Sequence, residues 1–412
     1  MARAGAPAVG RHRQYFEVRD ALRQPGCPVC RLALGAVWRY LDALAYENVN
    51  DYTVREQLRR SWGFCNRHAW QYLEDVRDLL GTAIIYRDLI RSNGPAAGRP
   101  GGLTPRAECP VCAVRDRTAR HALETLVRYR DDAEIADGLA ASDGLCAHHA
   151  ARALSLGARP LVSELVEKWT GGRNPVALAA GERGFAGTRV GWDWDPVPSA
   201  GLGALPSGGD GCRVCAALDV SYACREERDD ALPCNAHLWA LAGRDEGAAA
   251  RVARGGLARA ARRLAAPGLP PRSSLVAVVL DAVGVEPREE NPLAGLVCPA
   301  CLEQRAVESS LVRTAVAEGQ PLCLPHARVA LARSIGRRSM RTCLPHARVA
   351  LDGPEDGDRI LAPTRDVWRQ LEAGLTAYVR SQDYRFRHEP RGDEQRAPRA
   401  AVRWIAGEPG VR

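Results

Sequence analysis

The 412-residue sequence has no apolar run of the ~18–20 residues that a membrane-spanning helix needs. The longest candidate, residues 275–285, is short and is interrupted by Asp281. The N-terminal stretch MARAGAPAVGRHRQYFE also lacks the apolar segment of a secretory signal peptide. From these two absences we expect no association with a membrane and a location in the cytoplasm.

Lysine is almost absent as well, because Lys168 is the only one among 57 basic residues. The arginine excess accompanies abundant alanine and glycine, a bias typical of a GC-rich coding sequence. We therefore do not take the arginine content as a sign of nucleic-acid binding. The net charge of +8, from 57 basic and 49 acidic residues, is only mildly basic for a chain of this length.

Cysteine is too scarce for a disulfide-stapled fold. The 14 cysteines of the chain are far below the ~8–10% of residues that is typical of such scaffolds. A reducing cytoplasm would keep them as thiols. Cysteines that recur in close pairs in such a chain indicate metal binding or redox chemistry.

Cysteines and histidines recur in a fixed order along the chain. Four Cys-x-x-Cys pairs each precede a Cys-x-x-His pair, and recurrence of this kind is the signature of a repeat array. The eight pairs are Cys27 and Cys30, Cys65 and His68, Cys109 and Cys112, Cys146 and His149, Cys212 and Cys215, Cys234 and His237, Cys298 and Cys301, and Cys323 and His326.

Three thiolates and one imidazole are a complete ligand set for tetrahedral zinc, and a complete set favours a structural role over Lewis-acid catalysis. We expect each Cys-x-x-Cys to share one ion with the Cys-x-x-His that follows it, which gives about four zinc ions per chain. The four predicted sites are Cys27, Cys30, Cys65 and His68; Cys109, Cys112, Cys146 and His149; Cys212, Cys215, Cys234 and His237; and Cys298, Cys301, Cys323 and His326.

Thiol–disulfide exchange and iron–sulfur ligation are the alternatives to zinc. Cys-Pro-x-Cys is also a redox motif, but that chemistry usually lies on a βαβ unit and needs no distant Cys-x-x-His. Three cysteines and a histidine can also hold an iron–sulfur cluster. We favour zinc over both.

The last predicted site has two candidate halves, since the segment CLPHARVAL occurs at residues 323–331 and again at 343–351. Cys343 and His346 are therefore alternatives to Cys323 and His326. The first copy follows Gly-Gln-Pro, a turn signal, whereas the second follows a stretch that could continue a helix. We favour the first copy on this ground, and the nine identical residues leave the choice open.

The spacers between the pairs have the periodicity of helices. Apolar residues recur at helical spacing after the first pair, as at Val29, Leu32, Ala33 and Ala36, and no segment alternates like a strand. This predicts an all-α protein, an array of helical hairpin units each closed by a Cys₃His zinc site. The predicted boundaries are 11–91 and 107–170 for the first two units, 171–211 for a linker, 212–265 for a third, shorter unit, 275–380 for a fourth unit with a C-terminal helix, and 381–412 for an arginine-rich end.

The sequence resembles a bacterial family of unknown function. The resemblance lies in HRQYFEVRDAL, PGCPVCRLALGAVWRYLDALAYENVND, GFCNRHAW and GTAIIYRDLI in the first part of the chain. It lies also in Asp383-Tyr384-Arg385-Phe386, followed by Glu389-Pro390, near the end. Members of that family carry recurring Cys-Pro-x-Cys and Cys-x-x-His pairs. The resemblance implies no particular activity, and the duplicated CLPH segment departs from the family pattern.

The sequence contains no recognisable nucleophile–base constellation, phosphate-binding loop or dinucleotide motif, so we do not expect catalysis. Stacked helical units present extended surfaces. We therefore predict a zinc-stabilised scaffold that binds a partner macromolecule, in the first instance a protein. The alternatives are a nucleic-acid-associated zinc protein, whose affinity would depend on salt, and a thiol or zinc redox sensor.

Overall fold

The computed structural model describes residues 12–97, 102–170, 174–182, 212–217, 234–265, 298–339 and 354–408, together with positions 99, 232, 293 and 296. Within these ranges the regular secondary structure is helical throughout and includes no β-strand. The prediction of an all-α protein is confirmed.

Helices in the first part of the chain begin at residues that suit a helix start. The carboxylates of Asp51, Asp78 and Asp132 accept hydrogen bonds from backbone N–H groups of the helix that follows, which satisfies donors that lack an intrahelical partner. Pro28 and Pro110 occupy first helical positions, where a missing N–H has no cost. The α-helices up to residue 180 are Arg13–Leu22, Pro28–Ala43, Tyr52–Ser61, Asn66–Gln71, Leu79–Asn93, Pro110–Arg128, Ala133–Ala141, Ala147–Ser155, Arg159–Glu167 and Pro175–Ala180.

The later part of the chain is helical in the same way. A 28-residue helix, Pro354–Ser381, is followed by two short 3₁₀ turns, Tyr384–Phe386 and Asp393–Arg396. The other α-helices of this part are Arg213–Ala217, Asn235–Ala242, Glu246–Ala265, Pro299–Ala317, Leu324–Ser339 and Ala397–Ala406. Two π-helical turns, Leu44–Asn48 and Tyr72–Val76, extend helices of the earlier part.

The chain divides into two compact units, each assembled from three separate stretches. Unit one comprises Met1–Ala36, Arg115–Gly187 and Ala223–Pro299, and unit two comprises Val37–Val114, Thr188–Tyr222 and Ala300–Arg412. These units do not coincide with the predicted segments, which followed the chain in order. Segments distant in sequence therefore share each core.

Each unit has its own buried hydrophobic cluster. In unit one, Tyr15 is fully buried and its hydroxyl donates a 2.7 Å hydrogen bond to Asp132. In unit two, the rings of Trp62 and Trp368 lie 5.8 Å apart. Burial of such large side chains stabilises the contact between the separate stretches of each unit. None of the helices in the described part of the chain combines the length and the apolar character needed to cross a membrane.

Candidate metal centres

The described residues contain four groups of three cysteines and one histidine whose potential ligand atoms all lie within 4.8 Å of one another. All sixteen residues of the predicted ligand set take part. The four groups are Cys27, Cys30, Cys146 and His149; Cys65, His68, Cys109 and Cys112; Cys212, Cys215, Cys323 and His326; and Cys234, His237, Cys298 and Cys301.

The predicted pairing of the half-sites is wrong. The structure nests the pairs instead of joining each Cys-x-x-Cys to the Cys-x-x-His that follows it, so that Cys30 meets Cys146 across 116 positions and Cys65 meets Cys112 across 47. We call the groups that contain Cys27 and Cys212 the outer clusters, and those that contain Cys65 and Cys234 the inner clusters. The separation of two pairs in the sequence discriminates only weakly between possible pairings, because lengthening a loop from 35 to 116 residues costs only about 1 kcal/mol.

The helix ends position the ligands. Cys65, Cys146 and Cys234 each precede the first helical residue with an extended backbone, and the histidine three positions later lies in the first turn. In the Cys-Pro-x-Cys pairs, the proline begins the helix and places the second cysteine in its first turn. The N-terminal end of a helix favours a thiolate, which is the form that binds a metal.

The distances within the clusters fit tetrahedral zinc. Sulfur–sulfur separations are 3.7 Å for Cys30 and Cys146, 3.6 Å for Cys65 and Cys112, and 3.5 Å for Cys215 and Cys323. Zn–S bonds of ~2.3 Å and Zn–N bonds of ~2.0–2.1 Å require ~3.8 Å between sulfurs and ~3.5 Å between sulfur and nitrogen. The cysteines are free thiols, since a disulfide requires ~2.05 Å.

All four histidines present the Nδ1 atom to the sulfurs. The Nδ1 of His149 lies 3.3–3.5 Å from its three sulfurs, and that of His68 lies 3.2–3.6 Å from its own three. His237 and His326 are oriented in the same way. His148 adjoins His149 in the sequence, and it is the ring of His149 that lies at the cluster.

The outer and inner clusters differ in their exposure to solvent. All four side chains of each outer cluster are buried, and Cys323 and His326 are 0% exposed. In the inner clusters, two cysteines are partly exposed in each case, namely Cys65 and Cys112, and Cys234 and Cys301. Reagents in solution therefore reach the inner clusters first.

The ligands perturb one another's protonation. Burial raises the pKa of the Cys27 thiol, but hydrogen bonds from Cys146 and Cys30 and the charge of His149 outweigh burial and hold that pKa well below its ordinary value. Hydrogen bonding with Cys146 and Cys27, together with burial, holds the pKa of Cys30 well above its ordinary value. Burial lowers the pKa of His149, yet the charges of Cys146 and Cys27 raise it to about 10. A divalent cation relieves the mutual repulsion of three such thiolates.

One carboxylate lies behind a ligand. The Oε1 atom of Glu308 is 3.3 Å from the Nε2 atom of His326, opposite the nitrogen that faces the sulfurs, and both side chains are buried. A carboxylate in this place orients a metal-binding imidazole and makes it a stronger ligand. Glu308 is one functional residue that the sequence analysis missed, since no local motif distinguishes it.

The described residues include the first copy of the duplicated segment. Cys323 and His326 belong to a cluster, but they meet Cys212 and Cys215 rather than the predicted Cys298 and Cys301. Cys343 and His346 lie outside the described residues.

The chain is similar in part to a known protein. Over 73 residues it is 43% identical to the "Uncharacterized 23.9 kDa protein in xynA 3'region" of Caldicellulosiruptor sp. (strain Rt8B.4). The match covers 18% of this chain and 35% of that protein, so the chain spans about a third of the length of this curated relative. The relative has about half the 44.6 kDa mass of this chain. No family model and no solved structure matches the chain.

Proposed function

We propose that the protein holds four zinc ions as structural centres and serves as a helical scaffold that binds a partner protein without catalysing a reaction. The observation that supports the zinc sites is the recurrence of one complete Cys₃His ligand set four times in one chain. Each set supplies four protein ligands, which is the coordination of structural zinc and leaves no position for a substrate.

The clusters also lie where structural ions have the most effect. Each outer cluster joins segments more than 100 positions apart, as Cys30 and Cys146 or Cys215 and Cys323 do. An ion that binds the folded chain and not the unfolded chain stabilises the fold by its own binding free energy. Zinc is thus part of the framework that keeps the surface of each unit in shape.

Exposed aromatic side chains support a protein partner. Tyr46, in the π-helical turn Leu44–Asn48, is 83% exposed, and Tyr52, at the start of the next helix, is 74% exposed. Tyrosine is enriched among the residues that dominate protein–protein interfaces, and π-helical turns are frequent at functional sites. We place the binding surface on this part of unit two.

The arginine-rich end gives less support to nucleic-acid binding. Arg380 pairs with Glu389 at 2.6 Å and lies over the ring of Phe386, and Arg385 pairs with Asp383 at 2.5 Å. These acidic partners neutralise the positive charges that binding to a phosphate backbone would require.

The test has two parts. Elemental analysis of purified protein should give about four zinc ions per chain, as the four complete ligand sets require, and iron or one ion per chain would refute the zinc proposal. Affinity capture should then compare the wild type with the paired substitution Tyr46→Ala and Tyr52→Ala, with Tyr384→Ala as a control at another exposed tyrosine. Loss of a bound protein from the paired variant alone supports the scaffold role, and equal capture by all three refutes the proposed surface.

A further inference from the structure

The two halves of the chain carry the same motifs in the same order. Each half has an outer Cys-x-x-Cys, a Cys-Asn-x-His-x-Trp motif, a second Cys-x-x-Cys, a Cys-x-x-His and a final Ala-Gly-Glu. The Cys-Asn-x-His-x-Trp motifs begin at Cys65 and Cys234, and the Ala-Gly-Glu segments begin at Ala180 and Ala406. We call residues 12–182 the first half and residues 212–408 the second half.

The Ala-Gly-Glu segment of the first half is held by the second half. The side-chain amide of Asn235 donates to the carbonyl oxygens of Ala180 and Gly181, both at 3.1 Å. The indole of Trp239 donates to the same carbonyl of Gly181 at 2.9 Å. All of these residues lie in unit one, and we call this set of contacts the first clasp.

The Ala-Gly-Glu segment of the second half is held by the first half in the same manner. Asn66 donates to the carbonyl oxygens of Ala406 at 2.8 Å and Glu408 at 2.7 Å, and Trp70 donates to Gly407 at 2.9 Å. These residues lie in unit two and form the second clasp. In both clasps the motif that supplies the asparagine and the tryptophan also supplies two ligands of an inner cluster.

The two glycines confirm that the clasps are equivalent. Gly181 has φ 79° and ψ 163°, and Gly407 has φ 84° and ψ 169°. Residues with a side chain rarely adopt this conformation, so both copies require glycine for the same reason. Each glycine ends a short helix that has a proline near its start, Pro175 in one case and Pro398 in the other.

The Ala-Gly-Glu segment of the first clasp also lies against the outer cluster of its own half. A Cβ atom placed on Gly181 would lie 3.7 Å from the sulfur of Cys30 and 3.8 Å from that of Cys146. The first clasp therefore lies between an outer cluster of one half and the inner-cluster helix of the other. Metal binding at either cluster fixes one side of the contact.

We propose that this chain is a covalently joined pair of equivalent halves. The Ala-Gly-Glu segment of each half is held by the Cys-Asn-x-His-x-Trp motif of the other half, so that each unit contains segments of both halves. The inference rests on the proposed zinc sites, because the ions order the helices that form the clasps. The partner that each half recognises is a second copy of the same architecture, and the connection between the halves is not needed for recognition. The similar protein of about half this mass has the size of one half.

The hydrophobic cores add to the clasps. The helix Glu246–Ala265, from the second half, packs in unit one against Pro175–Ala180, from the first half, and buries Ala253 and Leu257. The halves therefore share an apolar interface as well as hydrogen bonds. Loss of the clasps should weaken the association without abolishing it.

The experiment uses the full chain with a protease recognition sequence inserted between residues 190 and 205 and cut after folding. Native mass spectrometry should show the two fragments together with four zinc ions. Mixing labelled and unlabelled cut protein then reports exchange of fragments. The paired substitution Asn66→Ala and Trp70→Phe, and likewise Asn235→Ala and Trp239→Phe, should each speed exchange at least about tenfold, because each removes the side-chain hydrogen bonds that join the two halves at one clasp.

A matched control removes the same types of bond within one half. Asn93 donates to the carbonyl of Arg59 at 2.8 Å, and Trp169 donates to that of Leu145 at 2.9 Å. Asn93→Ala with Trp169→Phe should leave fragment exchange unchanged. Fragments that separate while all four zinc ions remain bound, or clasp variants that exchange no faster than this control, would overturn the clasp proposal and leave the zinc sites standing. Protein without zinc would overturn the proposed function itself.

Discussion

The indole of Trp70 donates a 2.9 Å hydrogen bond to the carbonyl oxygen of Gly407, although 337 positions separate the two residues. Trp239 makes the same 2.9 Å bond to Gly181. Both tryptophans lie two positions after a histidine of an inner cluster. The metal centres and the long-range architecture are therefore parts of one arrangement, and each can be probed through the other.

The nested pairing can be tested by thiol protection. In the variant Cys30→Ser, the outer cluster of the first half loses one ligand, so Cys27 and Cys146 should become reactive towards an alkylating reagent while zinc protects Cys109. Peptide mass spectrometry after brief alkylation identifies the modified residues. Modification of Cys65 in place of Cys146 would restore the pairing that the sequence suggested.

The difference in exposure predicts two classes of zinc. A chelator should remove about two ions quickly, from the inner clusters with their partly exposed cysteines, and about two slowly, from the buried outer clusters, because ligand exchange needs access to the metal. A colorimetric zinc assay measures the two phases. Cys65→Ser should reduce only the fast phase and Cys323→Ser only the slow one, and a single phase for all four ions would contradict the structure.

Glu308 should affect one site alone. Its carboxylate lies 3.3 Å from the Nε2 atom of His326, and loss of such a partner typically lowers metal affinity ~10–100-fold. Glu308→Ala should lower the affinity for one of the four zinc ions by that factor, as measured in a competition titration. Glu318→Ala, which removes an exposed partner of Arg213, is the control and should change none of them.

Glu182 should make stability depend on pH. Burial, followed by the charge of Cys27, raises the pKa of Glu182 from 4.5 to about 7. Between these values the folded protein keeps a proton that the unfolded chain has lost, so the contribution of Glu182 to stability falls as pH rises from 4.5 to about 7. Glu182→Gln should remove this contribution and change the slope of stability against pH in urea unfolding of the zinc-loaded protein. Glu164→Gln, at an exposed position, should retain the wild-type slope, and the prediction fails if both variants do so.

Gly407 and Gly181 should not tolerate a side chain. Their backbone conformation costs other residues ~1–3 kcal/mol, so Gly407→Ala and Gly181→Ala should lower the free energy of unfolding by that amount. Gly243 is the control, because its φ of −66° suits any residue and an added Cβ would meet neighbours at 3.7 Å. Chemical denaturation of the three variants checks the prediction, which equal stability would refute.

The sequence by itself determined the all-α fold and the residues that cluster. Helical periodicity is local, and a Cys-x-x-His at a helix start needs only its own first turn to place both ligands on one side. The tertiary structure decided which pairs meet, because eight chemically similar half-sites can combine in several ways and loop length penalises the alternatives only weakly. Packing of the two cores settled that choice. It also brought Glu308 to His326 and Trp70 to Gly407. These contacts depend on how the helices pack, which no local sequence motif reveals.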